Sequence, residues 1–127
     1  MPIFKKDSTY WVVEGKKKAY AILLDENGYL QNPYWGEKLS DSKDYPDINK
    51  YEPPSSFDSE LDLMPEEFPC PGKMKFVEPC LFLEFFDGTR DLDLQFYEEE
   101  LSTDELIITL KDRVYPLTIK LHYRIFA

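Results

Sequence analysis

Carboxylates are the most abundant side chains of this chain that could take part in catalysis. Its 127 residues include 25 Asp and Glu against 15 Lys and Arg, which gives a formal net charge of −10. Hydrolysis of a glycosidic bond uses two carboxylates about 5 Å or more apart, one on each side of the bond. The acidic clusters here, Glu98–Glu100 and Asp91 with Asp93, belong to alternating segments whose polar side chains face solvent. We therefore expect no catalytic residue among them.

The single histidine and the two cysteines offer no other catalytic arrangement. His122 lies on the polar side of the last alternating segment, where an exposed sheet residue is expected. No serine or cysteine stands in a recognisable nucleophile context, and Cys70, Cys80 and one histidine match no zinc pattern. The first residues lack the apolar core of a signal peptide, so we expect a cytoplasmic protein with reduced thiols, a Cys70–Cys80 bridge being the alternative. No metal and no cofactor is expected.

Aromatic side chains are the remaining candidates, for binding rather than catalysis. They make up 16% of the residues. Tryptophan and tyrosine rings can stack on the apolar faces of sugars, and the candidates are Trp11, Trp35, Tyr34 and Tyr51. Trp11 lies in the alternating run Thr9–Glu14 and is expected in the core. Trp35, beside Gly36 at a strand end, is compatible with binding and with packing alike.

The charge and hydropathy of the chain exclude two classes of partner. A net charge of −10 would repel nucleic-acid phosphates and anionic membrane surfaces rather than neutralise them. No apolar run approaches the roughly 18 residues that span a bilayer. We expect neither nucleic acid nor a membrane as a partner.

The elements that carry these residues follow a period of two, which indicates strands. Residues 117–125 and 92–96 alternate apolar and polar side chains, and Cys80–Phe86 is apolar on both faces, as in a central strand covered on both sides. Asn27-Gly28 and Asp87-Gly88 are hairpin turn signals, and Ser102–Glu105 could start one helical turn. The remaining strands are predicted at Thr9–Glu14, Tyr20–Leu24, Tyr29–Tyr34 and Leu106–Lys111. About seven short strands in all predict an all-β fold, an antiparallel β-sandwich.

One region, residues 37–79, lacks this periodicity. It holds seven of the ten prolines. A connection of this length is usually functional, disordered or a linker. Its apolar residues favour a loop docked on the domain over a disordered linker. The sequence therefore predicts a single domain, residues 1–127, with one long Pro-rich loop at 37–79.

Two blocks of the sequence resemble signatures of a known family. The first is Asn27-Gly28-Tyr29-Leu30 continuing to Tyr34-Trp35-Gly36, and the second joins Leu61-Asp62 to Pro65, Glu67, Phe68 and Pro69. They resemble the opening of the N-terminal β-sandwich domain of family 36 α-galactosidases, which reads G-x-L, then Y-W-G-K and later S-L-D-x-L-x-x-E-Y-P. A third family motif, G-x-x-D-F-R-x-P, aligns with residues 72–79, where its Phe and Pro fall on Phe76 and Pro79 and its Asp and Arg on Lys75 and Val77. The tail Leu117–Phe126 resembles the family's L-x-V-x-L-x-Y-x-x-F strand.

The resemblance implies a non-catalytic domain that forms part of a supersandwich. Family 36 α-galactosidases are retaining enzymes whose two catalytic aspartates lie on a (β/α)₈ barrel downstream, and no residues here correspond to that barrel. The chain alone is not expected to be an enzyme. It would contribute to oligomer assembly and to the rim of the substrate site. Its partners would be its own catalytic barrel and the neighbouring subunits of a homo-oligomer, with galactosides contacted at most indirectly.

The resemblance also implies a set of substrate-binding residues. In tetrameric members of the family, the long loop after the Y-W-G strand reaches a neighbouring subunit's active site through a D-R-x-F-S-P segment. The matching residues here are Asn49, Lys50 and Tyr51, with Asn49 in place of the family's carboxylate. Trp35 and Phe76 complete the implied set.

Two other functions fit the same residues. An independent carbohydrate-binding module would use the exposed aromatics directly. A small acidic interaction domain would use the loop to dock a protein partner. For a truncated sandwich, the strand Leu117–Phe126 would have an open apolar edge, which predicts that the isolated chain is dimeric, swapped or aggregation-prone.

Overall fold

The computed structural model describes residues 2–47, 66–69 and 79–126. Within these ranges the fold is all-β, as predicted, with one 3₁₀ turn at Ser42–Asp44. Its seven strands are β1 (Ile3–Asp7), β2 (Tyr10–Glu14), β3 (Lys18–Leu24), β4 (Leu30–Glu37), β5 (Leu94–Leu101), β6 (Glu105–Asp112) and β7 (Thr118–Arg124). These described residues include no helix of the length and hydrophobicity that crossing a bilayer requires.

The strands form two antiparallel sheets, each a meander. The four-stranded sheet has the order β1-β2-β3-β4 and the three-stranded sheet the order β5-β6-β7. The predicted turn at Asn27-Gly28 is confirmed as the β3–β4 connection. Gly28 has a φ of +87°, which a residue without Cβ adopts at little cost. The Asp25 carboxylate accepts the backbone N–H groups of Asn27 and Tyr29 and closes the turn.

The sheets pack face to face, so the predicted β-sandwich is confirmed. Because side chains alternate along a strand, each sheet turns one apolar face toward the other. Trp11, which is 1% exposed, lies at the centre of this core, so the expectation that it packs there is confirmed. The other buried residues between the sheets are Ile3, Ile22, Leu30, Leu92, Leu94, Leu106, Ile108 and Leu110.

The four-stranded sheet is covered on its second face as well. Tyr10, Val12, Ala19, Ala21 and Leu23 form a second cluster there, which is closed by the buried Tyr45. Tyr45 follows the 3₁₀ turn, so the first part of the predicted loop lies on this face. Burial on both faces explains why β3 reads as a nearly continuous apolar run.

Cys80–Phe86 was predicted to be the central strand, and this prediction is wrong. No strand forms there, although side chains alternate between half-buried (Leu81, Leu83, Phe85) and exposed. Phe82 is 74% and Phe86 100% exposed, so the second face has no cover among the described residues. The turn at Gly88 does form, with a φ of +87° and a hydrogen bond from its N–H to the Phe85 carbonyl. The apolar run at Cys80–Phe86 therefore corresponds to exposed aromatic side chains and not to a strand covered on both faces. The strand that is covered on both faces is β3.

Two further differences from the prediction concern the first strand and the β5–β6 connection. β1 was not predicted, because its Lys5 and Lys6 interrupt the apolar alternation. The Ser102–Glu105 segment makes a tight β5–β6 turn instead of a helical one. The backbone N–H of Ser102 donates to the Glu105 carbonyl at 2.9 Å, and the Ser102 hydroxyl donates to the same oxygen at 3.1 Å.

Candidate functional site

Four side chains from both sheets and the loop meet at one side of the sandwich. They are Tyr20 of β3, Trp35 of β4, Tyr123 of β7 and Glu67 of the loop, and we call them the Glu67 cluster. Tyr20 lies directly opposite Trp35 in the β3–β4 register, so the two rings share a face of the sheet. Their centres are 6.0 Å apart in an edge-to-face arrangement. Trp35 is nevertheless 77% exposed, which makes it the solvent-facing end of the cluster.

The carboxylate of Glu67 joins the two sheets. The Tyr20 hydroxyl donates to one oxygen at 2.5 Å, and the Tyr123 hydroxyl donates to the other at 2.6 Å. The two phenol rings stack across the sheets with centres 6.2 Å apart. Burial raises the pKa of Glu67 above its ordinary value, and the two phenol hydrogen bonds oppose this only in part. Burial and the nearby carboxylate raise the pKa of both tyrosines, which keeps them protonated donors at neutral pH.

The backbone around Glu67 is attached to the edge of the four-stranded sheet. The Glu67 N–H donates to the Leu30 carbonyl at 3.0 Å, and Glu66 forms a β-bridge with Gln31. Phe68 packs on the core between the sheets. The Cys80 N–H then donates to the Pro69 carbonyl at 2.9 Å. The described loop residues 66–69 are therefore attached to the sandwich, and the docking of the whole loop stays a prediction.

The first described part of the loop, residues 38–47, is also anchored to the sandwich. The Tyr45 hydroxyl donates to the Glu14 carboxylate at 2.8 Å and accepts the Leu39 N–H at 3.1 Å. Burial is the main reason why the pKa of Tyr45 rises to about 12. The Lys6 ammonium donates to the Tyr45 carbonyl at 2.6 Å, and the Tyr10 hydroxyl donates to the Pro46 carbonyl at 2.5 Å. Residues 38–47 are therefore held by both side-chain and backbone contacts.

Of the predicted binding residues, only Trp35 belongs to the described part of the chain. Asn49, Lys50, Tyr51 and Phe76 lie outside the described residues. Cys70 lies outside them too, whereas Cys80 has a free thiol whose pKa burial raises.

The sequence marks Glu67 only as part of a motif. Nothing in that motif indicates that its carboxylate joins the two sheets. Its signal is an acid beside Phe68 in a short segment between Pro65 and Pro69. The two tyrosines that bind it lie 47 and 56 positions away along the chain. Such partners become neighbours only through the pairing of the sheets.

The acidic clusters are solvated in part only. Glu98, Glu100 and Asp91 are exposed, as expected. Glu99 is different, because it accepts the indole N–H of Trp11 and the ammonium of Lys5. Asp93 accepts the Tyr29 hydroxyl at 2.8 Å. The expectation of a uniformly solvated acidic face is therefore wrong for Glu99 and Asp93, which bind donors from the other sheet and its β3–β4 turn.

The remaining polar groups have structural partners. His122 is exposed, as expected, and its Nδ1 lies 3.2 Å from one oxygen of the Glu105 carboxylate. The other oxygen of that carboxylate pairs with Arg124. A cleft of about 890 Å³ is lined by Glu14, Lys38, Asp104, Arg124 and Phe126. The Glu14 carboxylate there is bound by Tyr45 and Lys38. In the described ranges, no three His, Cys, Asp or Glu residues are grouped as a metal site would require.

Comparison with known proteins gives a family and a fold. The sequence profile of the "Glycosyl hydrolase family 36 N-terminal domain" matches residues 28–127. No curated protein matches the chain.

Three solved structures share the fold of this chain. The GH36 alpha-galactosidase AgaB from Geobacillus stearothermophilus is 21% identical, with a TM-score of 0.74 over 98% of this chain and 21% of its own. The galactosidase domain of the alpha-galactosidase-sucrose kinase AgaSK is 23% identical, with a TM-score of 0.75 over 95% of this chain and 21% of its own. The alpha-galactosidase from Lactobacillus brevis is 16% identical, with a TM-score of 0.75 over 97% of this chain and 20% of its own. The chain thus spans about a fifth of the length of these structures.

Proposed function

The chain belongs to the glycosyl hydrolase family 36 N-terminal domain family, and on this premise we propose that it is the non-catalytic sandwich of an α-galactosidase. In this role it assembles with its own (β/α)₈ barrel and with neighbouring subunits, and it contributes to the rim of the substrate site. Hydrolysis of terminal α-galactosides is then carried out by residues outside this chain. The cytoplasm is the proposed location.

A non-catalytic role is supported by the contacts of three partly buried acids. A general acid or nucleophile of a glycosidase must face the substrate with its carboxyl group accessible. Glu67 binds two phenols, Glu14 binds Lys38 and Tyr45, and Glu99 binds Trp11 and Lys5. Each of these acids has its oxygens committed to the fold, so we assign them structural roles.

Assembly is supported by the apolar surface that the described residues leave uncovered. Isolated exposed apolar residues are normal, but bulky aromatic ones concentrate at interfaces. The large exposed apolar side chains include Trp35, Phe82, Phe86, Val114 and Phe126. We propose that the barrel or a neighbouring subunit covers part of this set.

The single observation that carries a role at the substrate rim is the exposure of Trp35. Its ring is 77% exposed but rests edge-on against Tyr20, which Glu67 holds in turn. A side chain held in place before binding loses less entropy when a partner or sugar is bound. We propose that Trp35 lines the rim together with Asn49, Lys50, Tyr51 and Phe76.

The test combines the purified chain with the polypeptide that follows it in the same reading frame. The isolated chain should release no nitrophenol from nitrophenyl α-galactoside and should show no heat of binding with galactose, melibiose or raffinose. Mixed with the downstream polypeptide, it should form a complex by size-exclusion chromatography with light scattering and should raise the rate of raffinose hydrolysis. A reading frame without a barrel, or a barrel indifferent to the chain, would contradict the proposal.

An independent carbohydrate-binding module is the second candidate, because Trp35 offers an exposed ring. The same calorimetric titration separates the two. Heat from melibiose or raffinose with the isolated chain, abolished by Trp35→Ala and kept by Phe86→Ala, would favour the module over the enzyme domain.

A further inference from the structure

We propose that Glu67 is a positioning residue, which ties β3 to β7 through Tyr20 and Tyr123 and so fixes where the segment 66–69 attaches to the sandwich. The inference deepens the proposed function and rests on it, because the residues between Asp47 and Glu66 include Asn49, Lys50 and Tyr51, which are proposed to line the substrate rim. The contacts themselves do not depend on that function.

The first step of the argument is the geometry of the carboxylate. Each Glu67 oxygen accepts one phenol, one from each sheet, at 2.5 and 2.6 Å. The Glu67 N–H at the same time donates to Leu30 of β4. One residue of the loop therefore contacts three strands in two sheets, which leaves it little freedom to shift along any of them.

The second step is the charge of the site. The described ion pairs include none to Glu67, and its described hydrogen-bond partners are the two phenols. A carboxylate that is partly withdrawn from water without a cation beside it is costly, and an apolar residue of similar volume often replaces such a group with no loss of stability. A role in specifying position explains why a carboxylate occupies this site.

The third step is the segment on the other side of residues 48–65. Residues 38–47 are held on the outer face of the four-stranded sheet by Tyr45, Tyr10 and Lys6. The two described segments that flank residues 48–65 are thus both fixed to the sandwich, the first through Tyr45 and the second through Glu67.

The ionisation of Glu67 provides a readout that a purely steric role lacks. Among the residues that the structure describes, the titratable groups around it are Tyr20 on β3, Tyr123 on β7, and Cys80 and Glu66 along the chain. Because burial raises the folded-state pKa of Glu67, its protonated form is favoured by folding. The stability that it contributes is fully present below the unfolded value, near 4.5, and is lost as pH rises through the folded value.

The experiment compares Glu67→Gln, Glu67→Ala and the matched control Glu66→Gln in the 127-residue chain. Stability is measured against pH by urea unfolding, and exchange of the residue-67 amide is measured by NMR. Wild type and Glu66→Gln should lose stability with rising pH above about 4.5, whereas Glu67→Gln should lack that part of the decline. Glu67→Ala, which leaves two phenols unpaired, should speed exchange of its amide by about 10- to 100-fold, and Glu67→Gln should restore most of the protection.

The outcomes separate this inference from the proposed function, because neither readout involves a sugar or a barrel. A Glu67→Gln pH profile equal to that of wild type would overturn the proposal. So would an equal acceleration of the β6 core amides in Glu67→Ala, since the carboxylate would then act on the whole sandwich rather than on the attachment of residues 66–69. A larger acceleration at residue 67 than at the β6 amides supports it.

Discussion

The indole N–H of Trp11 donates to the carboxylate of Glu99, so the largest core side chain of one sheet ends on an acid of the other. Trp11 projects from β2 and Glu99 from β5, one of the two outer strands of the three-stranded sheet. The Trp11 ring also lies 5.8 Å from the Phe96 ring between the same two strands. Lys5, which lies on β1, donates to the other oxygen of the Glu99 carboxylate. The polar end of a core tryptophan is thereby satisfied at the rim of the sandwich.

Removing that acceptor should destabilise the fold. Glu99→Ala leaves the buried indole N–H without its partner and should lower the free energy of unfolding by about 1–3 kcal/mol. Glu100→Ala, at an exposed neighbouring position, should change it by less than about 0.5 kcal/mol. Urea unfolding followed by tryptophan fluorescence measures both. Equal effects of the two substitutions would mean that the Trp11–Glu99 bond contributes little.

Removing one phenol from Glu67 should change both stability and its pH dependence. Tyr123→Phe deletes a donor to a buried carboxylate and should cost about 1–3 kcal/mol at neutral pH. Because the phenol bonds lower the pKa of Glu67, their loss should raise that pKa further. The decline in stability with rising pH should then extend to higher pH than in wild type. Tyr97→Phe, at an exposed tyrosine, is the control, and a profile unchanged from wild type in Tyr123→Phe would contradict the expectation.

The β3–β4 turn should tolerate only glycine at its last position. Gly28→Ala places a Cβ at a φ of +87°, where an L-residue is strained by about 1–2 kcal/mol. The nearest atom to that Cβ would be Cβ of Gln95 at 3.8 Å, so the cost comes from the backbone and not from a clash. Gly15→Ala, where φ is not positive and the nearest contact is an ordinary 3.6 Å, is the matched control. Thermal unfolding should show a lower midpoint for Gly28→Ala only.

The isolated chain should associate at high concentration. β7 is an outer strand of the three-stranded sheet. Phe82 and Phe86 are exposed, and they alternate in the sequence with Leu83 and Phe85, which pack on the core. Uncovered strand edges and exposed aromatics both favour contacts between copies. Sedimentation velocity should show dimers or larger species, and Phe82→Ser with Phe86→Ser should reduce them. A monodisperse monomer at millimolar concentration would contradict this.

Alternation in the sequence was sufficient to predict most of the sandwich. Residues 118–124 alternate without interruption, and Asn27-Gly28 marks the β3–β4 hairpin. Both signals depend on the local backbone alone. The Cys80–Phe86 run misled because apolar side chains on two faces fit a buried strand and an exposed interaction segment equally well. Whether a second face is covered depends on distant chain, which periodicity does not record.

The candidate site was predictable to a smaller extent. Trp35 was a candidate because its ring lies beside Gly36 at a strand end, and the structure places it in the Glu67 cluster. The roles of Glu67, Tyr20 and Tyr123 depend on contacts between segments that are far apart in the sequence. The local sequence shows only two acids, Glu66 and Glu67, before Phe68, and does not indicate which of them would bind the tyrosines.

The covering of the second face by residues 38–47 limits how this domain can be trimmed or recombined. Those residues act as a third layer over Val12 and Ala21, so cutting the chain at the end of β4 would leave an apolar floor open to water. A graft or shortened variant should therefore keep the chain at least through Asp47.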